Sequence, residues 1–494
     1  MSAHGTDEST RTGDLVRTAL VALGLRLVVV AVAWNRFSPA DDGVFYDVLA
    51  RRLATGAGYT WLWPDGVVTP VAHYPVGYPA MLAVAYRALG EHPSAALLMH
   101  ALVGAVGAVA VHAVASYGFS RRAACFAGMA VAFHPALLSY TPAVMTEGVC
   151  SALVAAPFAC ALFARECGAR RAGLRLVASV IAGVLLGGAC LVRPQVLLLA
   201  PFVAALSTGT PLEARRLIAP AFVLVAAACV LVPWTLRNYG AFGRPVLVSA
   251  NSGWNLLIGT DADGNGGWRA LEAPAECREV WGEADKDACF GRVARRRILK
   301  SPGAWLSLVP SKLAVTFDLG GSGPSYLLRA RPDLVPRTFV LALGGFETLV
   351  ERATVLVTLL VLAFEAGGRR RTRVAIGAVS ILFLLVRHAW PAYAGLAALL
   401  VLGERAKSSA QPLRVVTGSV LAATLVTHAV FFGAGRYALL AYPWVAAMAS
   451  ALLIEAQRSS TRGHVPEPAS GLEGAGATVT RSGASNAAMS AKCS

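Results

Sequence analysis

Charge, and negative charge above all, is scarce in this sequence. Of 494 residues, charged types make up 15%, with 28 Asp+Glu against 44 Lys+Arg. An average soluble protein carries about 25% charged residues, so this composition does not supply the charged shell of an ordinary cytosolic enzyme. Aromatic residues contribute 8% and do not interleave with a basic face, which excludes a nucleic-acid-binding protein. No dinucleotide-type glycine fingerprint and no CxxC or Cys/His ligand spacing is present, so neither a bound dinucleotide nor zinc is expected. No solenoid-type repeat occurs. Apolar residues are abundant instead, at 56%, with a mean hydropathy of +0.58. The solvent for most of the chain is therefore lipid. The formal net charge of +16 then reads as cytoplasmic Lys and Arg flanking the spans.

A membrane helix needs about 20 mostly apolar residues. Candidate spans are 15–34, 95–117, 123–142, 145–164, 176–192, 194–208, 217–234, 353–366, 374–386, 390–402, 415–432 and 437–454. The stretch 79–90 is apolar but too short to cross comfortably. If it crossed, Arg121 and Arg122 would fall outside, with Arg165, Arg170, Arg171 and Arg175. If it lies on the outer face, all of these fall inside. The same parity then places Arg215, Arg216, Arg369, Arg370, Arg371, Arg373, Arg405, Lys407 and Arg414 inside. Positive charge belongs on the cytoplasmic side, so the second arrangement is adopted. The expectation is an all-α, multi-pass membrane protein of about twelve spans with both termini cytoplasmic.

Four regions follow. Residues 1–234 form a first transmembrane module with an outer segment at 35–94. Residues 235–352 form a large extracytoplasmic segment, 353–456 the C-terminal spans, and 457–494 a Ser/Gly/Ala-rich tail expected to be disordered. Ala31-Val32-Ala33 fits a signal-peptidase site, yet Arg26 in the apolar run and the preceding Asp7 and Glu8 favour an uncleaved first helix. Five of the nine cysteines (Cys125, Cys150, Cys160, Cys190, Cys229) lie in spans and read as small apolar packers. Cys167 and Cys493 are placed inside. Cys277 and Cys289 share the outer segment and are either a disulfide or two free thiols.

The unusual charges gather at one side. Asp41 and Asp42 follow the first span. Adjacent carboxylates at a low-dielectric rim raise one another's proton affinity and suit a general base. The competing reading is a helix N-cap before an amphipathic helix bearing Tyr46, Leu49 and Leu53. His73, Tyr74 and Tyr78 surround a Pro/Gly bend, as an interfacial aromatic belt or as a pocket wall. Glu147 opens a span, where a helix N-terminus favours an acid. Arg193 and Arg436-Tyr437 sit between spans on the same side, as snorkelling side chains or as forked phosphate ligands. Lys312 is a further phosphate candidate. The stretch from Pro233 to Thr260 reads as a turn-rich loop rather than a helix.

Together these segments resemble the polytopic GT-C glycosyltransferases, in particular bacterial family-39-type proteins similar to the dolichyl-phosphate-mannose–protein mannosyltransferases. The likeness runs from the first span to about residue 454. Asp42 precedes Tyr46 by four, followed by Leu49-Ala50, Leu53, Gly56 and Gly58-Tyr59. Pro75-Val76-Gly77-Tyr78-Pro79 is a PGYP-like element with one inserted Val. Glu147, Arg193-Pro194, Pro233-Trp234 with Arg237-Asn238, and Ser249, Gly253, Asn255-Leu256 and Gly259 follow in order, then Arg436-Tyr437 and Pro443. Where many relatives carry an Asp-Glu pair, this chain has Asp42-Gly43, preceded by Asp41.

The resemblance implies a GT-C helical bundle in a bacterial plasma membrane with its site on the extracytoplasmic face. It implies transfer of a hexosyl or pentosyl group from a polyprenyl-phosphate donor to a lipid, glycan or protein acceptor. Asp42 would be the base, with Asp41 as substitute. Arg193 and Arg436 would hold the departing phosphate, with Lys312 a further phosphate candidate and Tyr437 among the substrate-binding residues; His73, Tyr74 and Tyr78 would line the sugar or phosphate pocket, and Glu147 would hold an arginine or a sugar hydroxyl. No cofactor is implied with certainty, and a divalent cation stays open. A lipid-linked-sugar flippase or transporter is the competing function.

Overall fold

The computed structural model describes residues 3–168, 171–208, 217–364, 370–386, 388–402 and 412–462. Arg170, Arg215, Arg216, Arg369, Arg405, Lys407, Cys493 and the tail beyond residue 462 lie outside the described residues. The first helix, α1 (Ala3–Ala33), runs against α4 (Pro93–Ala115) and α5 (Arg121–Ala132). At its N-terminal end Asp14 is paired with Arg17 and Arg121, and Arg11 with Glu166. At its other end begins the segment holding α2 (Asp42–Ala54), the hairpin β1 (Thr60–Leu62) and β2 (Val68–Pro70), and α3 (Gly77–Leu89). The hairpin is antiparallel with Trp61 opposite Thr69. The short helix α3 takes up the stretch 79–89, with Gly90 as its C-cap, and packs on α2.

The chain continues through α6 (Pro135–Ser139), α7 (Thr146–Leu153), α8 (Ala155–Cys167), α9 (Ala172–Val192) and a 3-10 turn at Pro194–Leu199 into α10 (Ala200–Leu206) and α11 (Ile218–Phe242). Small residues let these helices approach closely, as is usual in membranes. A Cβ on Gly183 would lie 2.3 Å from Val223 O on α11, and one on Gly187 would lie 2.8 Å from Ala227 O. Seven helices among the described residues are long and apolar enough to cross a membrane: Thr10–Ala33, Pro93–Ala115, Arg121–Ser139, Thr146–Cys167, Ala172–Val192, Ile218–Phe242 and Pro412–Val430. The fold is all-α and membrane-spanning, and these helices alone do not establish twelve spans. The stretch 194–208 is divided between the 3-10 turn and α10.

The second large segment holds α12 (Ser252–Ile258), α13 (Ala275–Arg278), α14 (Glu283–Lys300), α15 (Pro302–Ser307), α16 (Val309–Phe317) and α17 (Ser322–Ala330). A separate small core of Leu257, Cys277, Cys289, Phe290, Val293 and Ala294 holds α12 to α14. Cys277 and Cys289 are disulfide-bonded, with Cα atoms 5.9 Å apart. The last helices are α18 (Arg337–Phe364), α19 (Arg370–Val386), α20 (Trp390–Leu402), α21 (Pro412–Val430) and α22 (Tyr442–Arg462), with a 3-10 turn at Gly435–Leu440 before α22.

Two stretches differ from the sequence reading. Residues 233–242 and 252–258 are helical, not turn-rich: α11 continues through Pro233 to Phe242, and α12 follows after the turn. Thr235 Oγ1 donates to Leu231 O, Trp234 Nε1 donates to Val248 O, and Arg237 lies over the Trp234 ring. These contacts offset the ladder bond that Pro233 removes. Helix α18 begins at Arg337, well before residue 353, since Glu347 and Glu351 lie on its buried face rather than ending it.

Candidate active site

Four segments far apart in sequence meet where α2, α7, the Arg193 corner and the Gly435–Leu440 turn converge. Glu147 is the hub. It is the second residue of α7, whose N-terminal amide dipoles favour an anion, and it is 4% exposed. Arg193 Nη1 lies 2.8 Å from Glu147 Oε1, and Tyr140 donates its hydroxyl proton to Oε2 at 2.9 Å. Arg436 Nε lies 3.2 Å from Oε1, while Arg436 Nη2 donates to Asp42 Oδ2 at 2.8 Å. Tyr74 donates its hydroxyl to the other Asp42 oxygen at 3.2 Å. Arg193 also donates to Thr146 Oγ1 at 3.1 Å. Two carboxylates therefore face two guanidiniums, and the group is charge-balanced.

Tyr437 is sandwiched into the same group. The Arg193 guanidinium carbon is 4.8 Å and that of Arg436 5.4 Å from its ring centre, and His428 stacks on it at 4.4 Å. Both cations thus gain the ring's electrostatic attraction. Burial works against the Arg436 charge, but Tyr437, Glu147 and Asp42 outweigh it and hold its proton more firmly than usual.

The adjacent acids point apart. Asp41 occupies the N-cap position of α2 at φ 51°, in the left-handed region. Its side chain caps nothing and instead takes Arg329, with Nε and Nη2 each 2.8 Å from Oδ2. Asp42, one residue on, turns to Arg436. The neighbouring acids therefore belong to separate ion pairs, and Asp42 is the one that shares the site with Glu147.

The aromatic element divides similarly. The Tyr74 hydroxyl reaches Asp42, and burial followed by that negative charge pushes its pKa up, keeping it protonated. Tyr78 is fully buried one layer deeper, its hydroxyl 2.8 Å from His100 Nε2. His73 packs edge-on against Tyr74 and Trp254, and burial pushes its pKa down. Its backbone N–H donates to Glu283 Oε1 at 2.8 Å, so α14 fixes the bend. Lys312 does not join the group. It is 1% exposed, and its ammonium donates to Ala429 O and Val430 O at 3.2 and 3.3 Å, at the end of α21.

Several participants escaped the sequence reading. The Tyr326 hydroxyl accepts the backbone N–H of Ala40 at 3.0 Å and of Val144 at 3.3 Å, tying the Asp42 loop to the Glu147 loop. Burial pushes its pKa up to about 12. Tyr140 and Thr146 complete the Glu147 shell. Tyr46, one helical turn after Asp42, packs edge-on against Tyr74 and Tyr78; this spacing was visible in the sequence, the other contacts were not. Among the described residues, no three His, Cys, Asp or Glu side chains gather where a metal ion would be held.

No family model matches this chain, and no curated protein matches it either. Among solved structures it is similar to the oligosaccharyltransferase of Archaeoglobus fulgidus tethered with an acceptor peptide. That match has 14% identity, covers 92% of this chain and 50% of that chain, and has a TM-score of 0.49. The oligosaccharyltransferase AglB from Archaeoglobus fulgidus in complex with an inhibitory peptide and a dolichol-phosphate matches at 13% identity over 93% of this chain and 52% of that one, with a TM-score of 0.46. ArnT from Cupriavidus metallidurans bound to undecaprenyl phosphate matches at 17% identity over 91% of this chain and 79% of that one, with a TM-score of 0.38. This chain spans about half the length of the archaeal enzyme it matches.

Proposed function

We propose that this protein is a membrane glycosyltransferase. It moves a sugar from a polyprenyl-phosphate donor to an acceptor hydroxyl or amine on the extracytoplasmic side. The observation that carries this reading is the Asp42–Arg436–Glu147–Arg193 group, an acid beside two fork-shaped phosphate ligands at one end of the bundle. In the reaction, Asp42 accepts the acceptor's proton as the acceptor attacks the anomeric carbon. The bond from that carbon to the phosphate oxygen breaks, and the lipid phosphate leaves with the electron pair. Arg193 and Arg436 stabilise the charge that develops there.

The pairing gives an order of events. Without donor, Arg436 occupies Asp42. Donor phosphate competes for the same guanidinium, and its arrival leaves Asp42 free to take a proton. Glu147 stays between the arginines and keeps their mutual repulsion in check. The Tyr74 ring stands beside Asp42, where the sugar would lie.

The test is purified protein in nanodiscs, incubated with polyprenyl-phosphate sugars and a membrane extract as acceptor source, scoring released polyprenyl phosphate. Release that requires the protein supports transfer. Movement of intact donor between leaflets without release would establish the flippase instead.

A further inference from the structure

Arg26 poses a separate problem. It lies in the middle of the apolar helix α1, about 10 Å along the axis from Ala33. It is 2% exposed. Its single hydrogen bond is from Nη1 to Ala22 O, at 3.1 Å on its own helix. A guanidinium carries five N–H donors, so most of this one is unpartnered. It is also in no ion pair among the described residues. Asp14 is engaged with Arg17 and Arg121, Glu147 with Arg193 and Arg436, and Glu347 with Ser139 and the Gly321 N–H; the buried Glu351, whose Oε1 has no hydrogen-bond partner, makes no ion pair with Arg26 among the described residues. The buried His134 ring, whose two nitrogens have no hydrogen-bond partner, brings no negative charge either.

The surroundings form a built cavity. Its volume is about 30 Å³, and Arg26, His100, Tyr140, Thr141 and Ser151 line it with apolar side chains between them. Space for the guanidinium is made by Gly104: a Cβ there would lie 2.3 Å from Arg26 Nε. The other polar groups are already committed. His100 uses both nitrogens, on Tyr78 and Thr141 O, Tyr140 donates to Glu147, and the Thr141 hydroxyl donates to Leu137 O. Ser151 is 4% exposed and has no hydrogen bond among the described residues. The wall thus offers an unpaired cation and a free hydroxyl donor.

A buried cation without a counter-charge is strongly disfavoured. About 10–15 Å³ of such space accommodates one water-sized particle, so the cavity has room for a monatomic ion. We propose that this cavity is a binding site for a small monovalent inorganic anion, a halide, held by the Arg26 guanidinium and the Ser151 hydroxyl. The ion neutralises α1 within the membrane and fixes α1 against α4 and α7. The site adjoins the transferase group through Tyr140, which donates to Glu147, but its lining includes none of Asp42, Glu147, Arg193 and Arg436.

The test is thermal unfolding of the whole protein in detergent, in sodium chloride, sodium bromide or sodium gluconate at equal ionic strength. Chloride and bromide raise Tm by about 2–5 °C over gluconate, with saturation as for a bound ligand. Arg26→Gln removes the difference, and Ser151→Ala shifts the half-saturating halide concentration upward. Equal Tm in halide and gluconate for the wild type overturns the proposal, as does an unchanged halide response in Arg26→Gln. If Arg26→Gln does not fold, wild-type crystals grown in bromide decide: an anomalous peak beside the guanidinium supports the site, and a cavity without one overturns it.

Discussion

Replacing Glu147 by Gln keeps the shape of the hub and removes its charge. Two guanidiniums, from Arg193 and Arg436, then share a buried site with only Asp42 to balance them. Breaking a buried ion pair by removing one partner costs about 3–5 kcal/mol, because the other charge is left uncompensated. At about 2 cal/mol/K of unfolding entropy per residue, a chain of 494 residues converts this into a fall in Tm of about 3–5 °C. The structure adds a sharper expectation. A phosphate anion can replace the lost carboxylate, so polyprenyl phosphate should raise Tm more in Glu147→Gln than in the wild type. Turnover should nevertheless fall, because phosphate bound more tightly to the resting site leaves more slowly. The assay is differential scanning fluorimetry with and without polyprenyl phosphate, with release kinetics alongside. An unchanged Tm together with an equal phosphate shift in both proteins would refute the hub.

Tyr326→Phe leaves the Ala40 and Val144 N–H groups without their shared acceptor; stability falls by about 1–3 kcal/mol and kcat falls with little change in donor affinity, measured by thermal unfolding and steady-state kinetics. Lys312→Met strips the end of α21 of the ammonium bound to two carbonyls. It lowers Tm while donor affinity stays within about twofold, as expected of a cation outside the phosphate site; a loss matching that of Arg193→Gln would return Lys312 to the site. Paired Cys277→Ser and Cys289→Ser changes open a loop of sequence separation 12, costing about 3 kcal/mol, read as faster proteolytic nicking between α12 and α14.

The helices were legible because lipid imposes long apolar runs, and the single-sided placement of Glu147, Arg193 and Arg436 followed from charge parity along the chain. The pairing itself was not legible. Arg436 and Asp42 are 394 positions apart, and no local spacing encodes such a contact. Asp41 and Asp42 were indistinguishable by type; a positive φ at Asp41 and a partner on α17 separate them. Tyr326 had no signal, since its function is a hydroxyl facing backbone amides of two distant loops. Helix α11 overran its expected end because side-chain contacts of Thr235 and Trp234 offset Pro233, a tertiary effect that propensity does not contain. The Cys277–Cys289 bond was readable as a pair because no other cysteines share that segment.

In the proposed reaction Asp42 takes the acceptor's proton and Asp41 does not. The decisive measurement is the initial rate of polyprenyl-phosphate release by Asp42→Asn and Asp41→Asn side by side, at matched donor occupancy. A general base contributes about 10²–10⁴-fold, so Asp42→Asn should lose that factor while still binding donor, and Asp41→Asn should stay within a few fold of wild type. Release preserved in Asp42→Asn, or lost only in Asp41→Asn, would contradict the account.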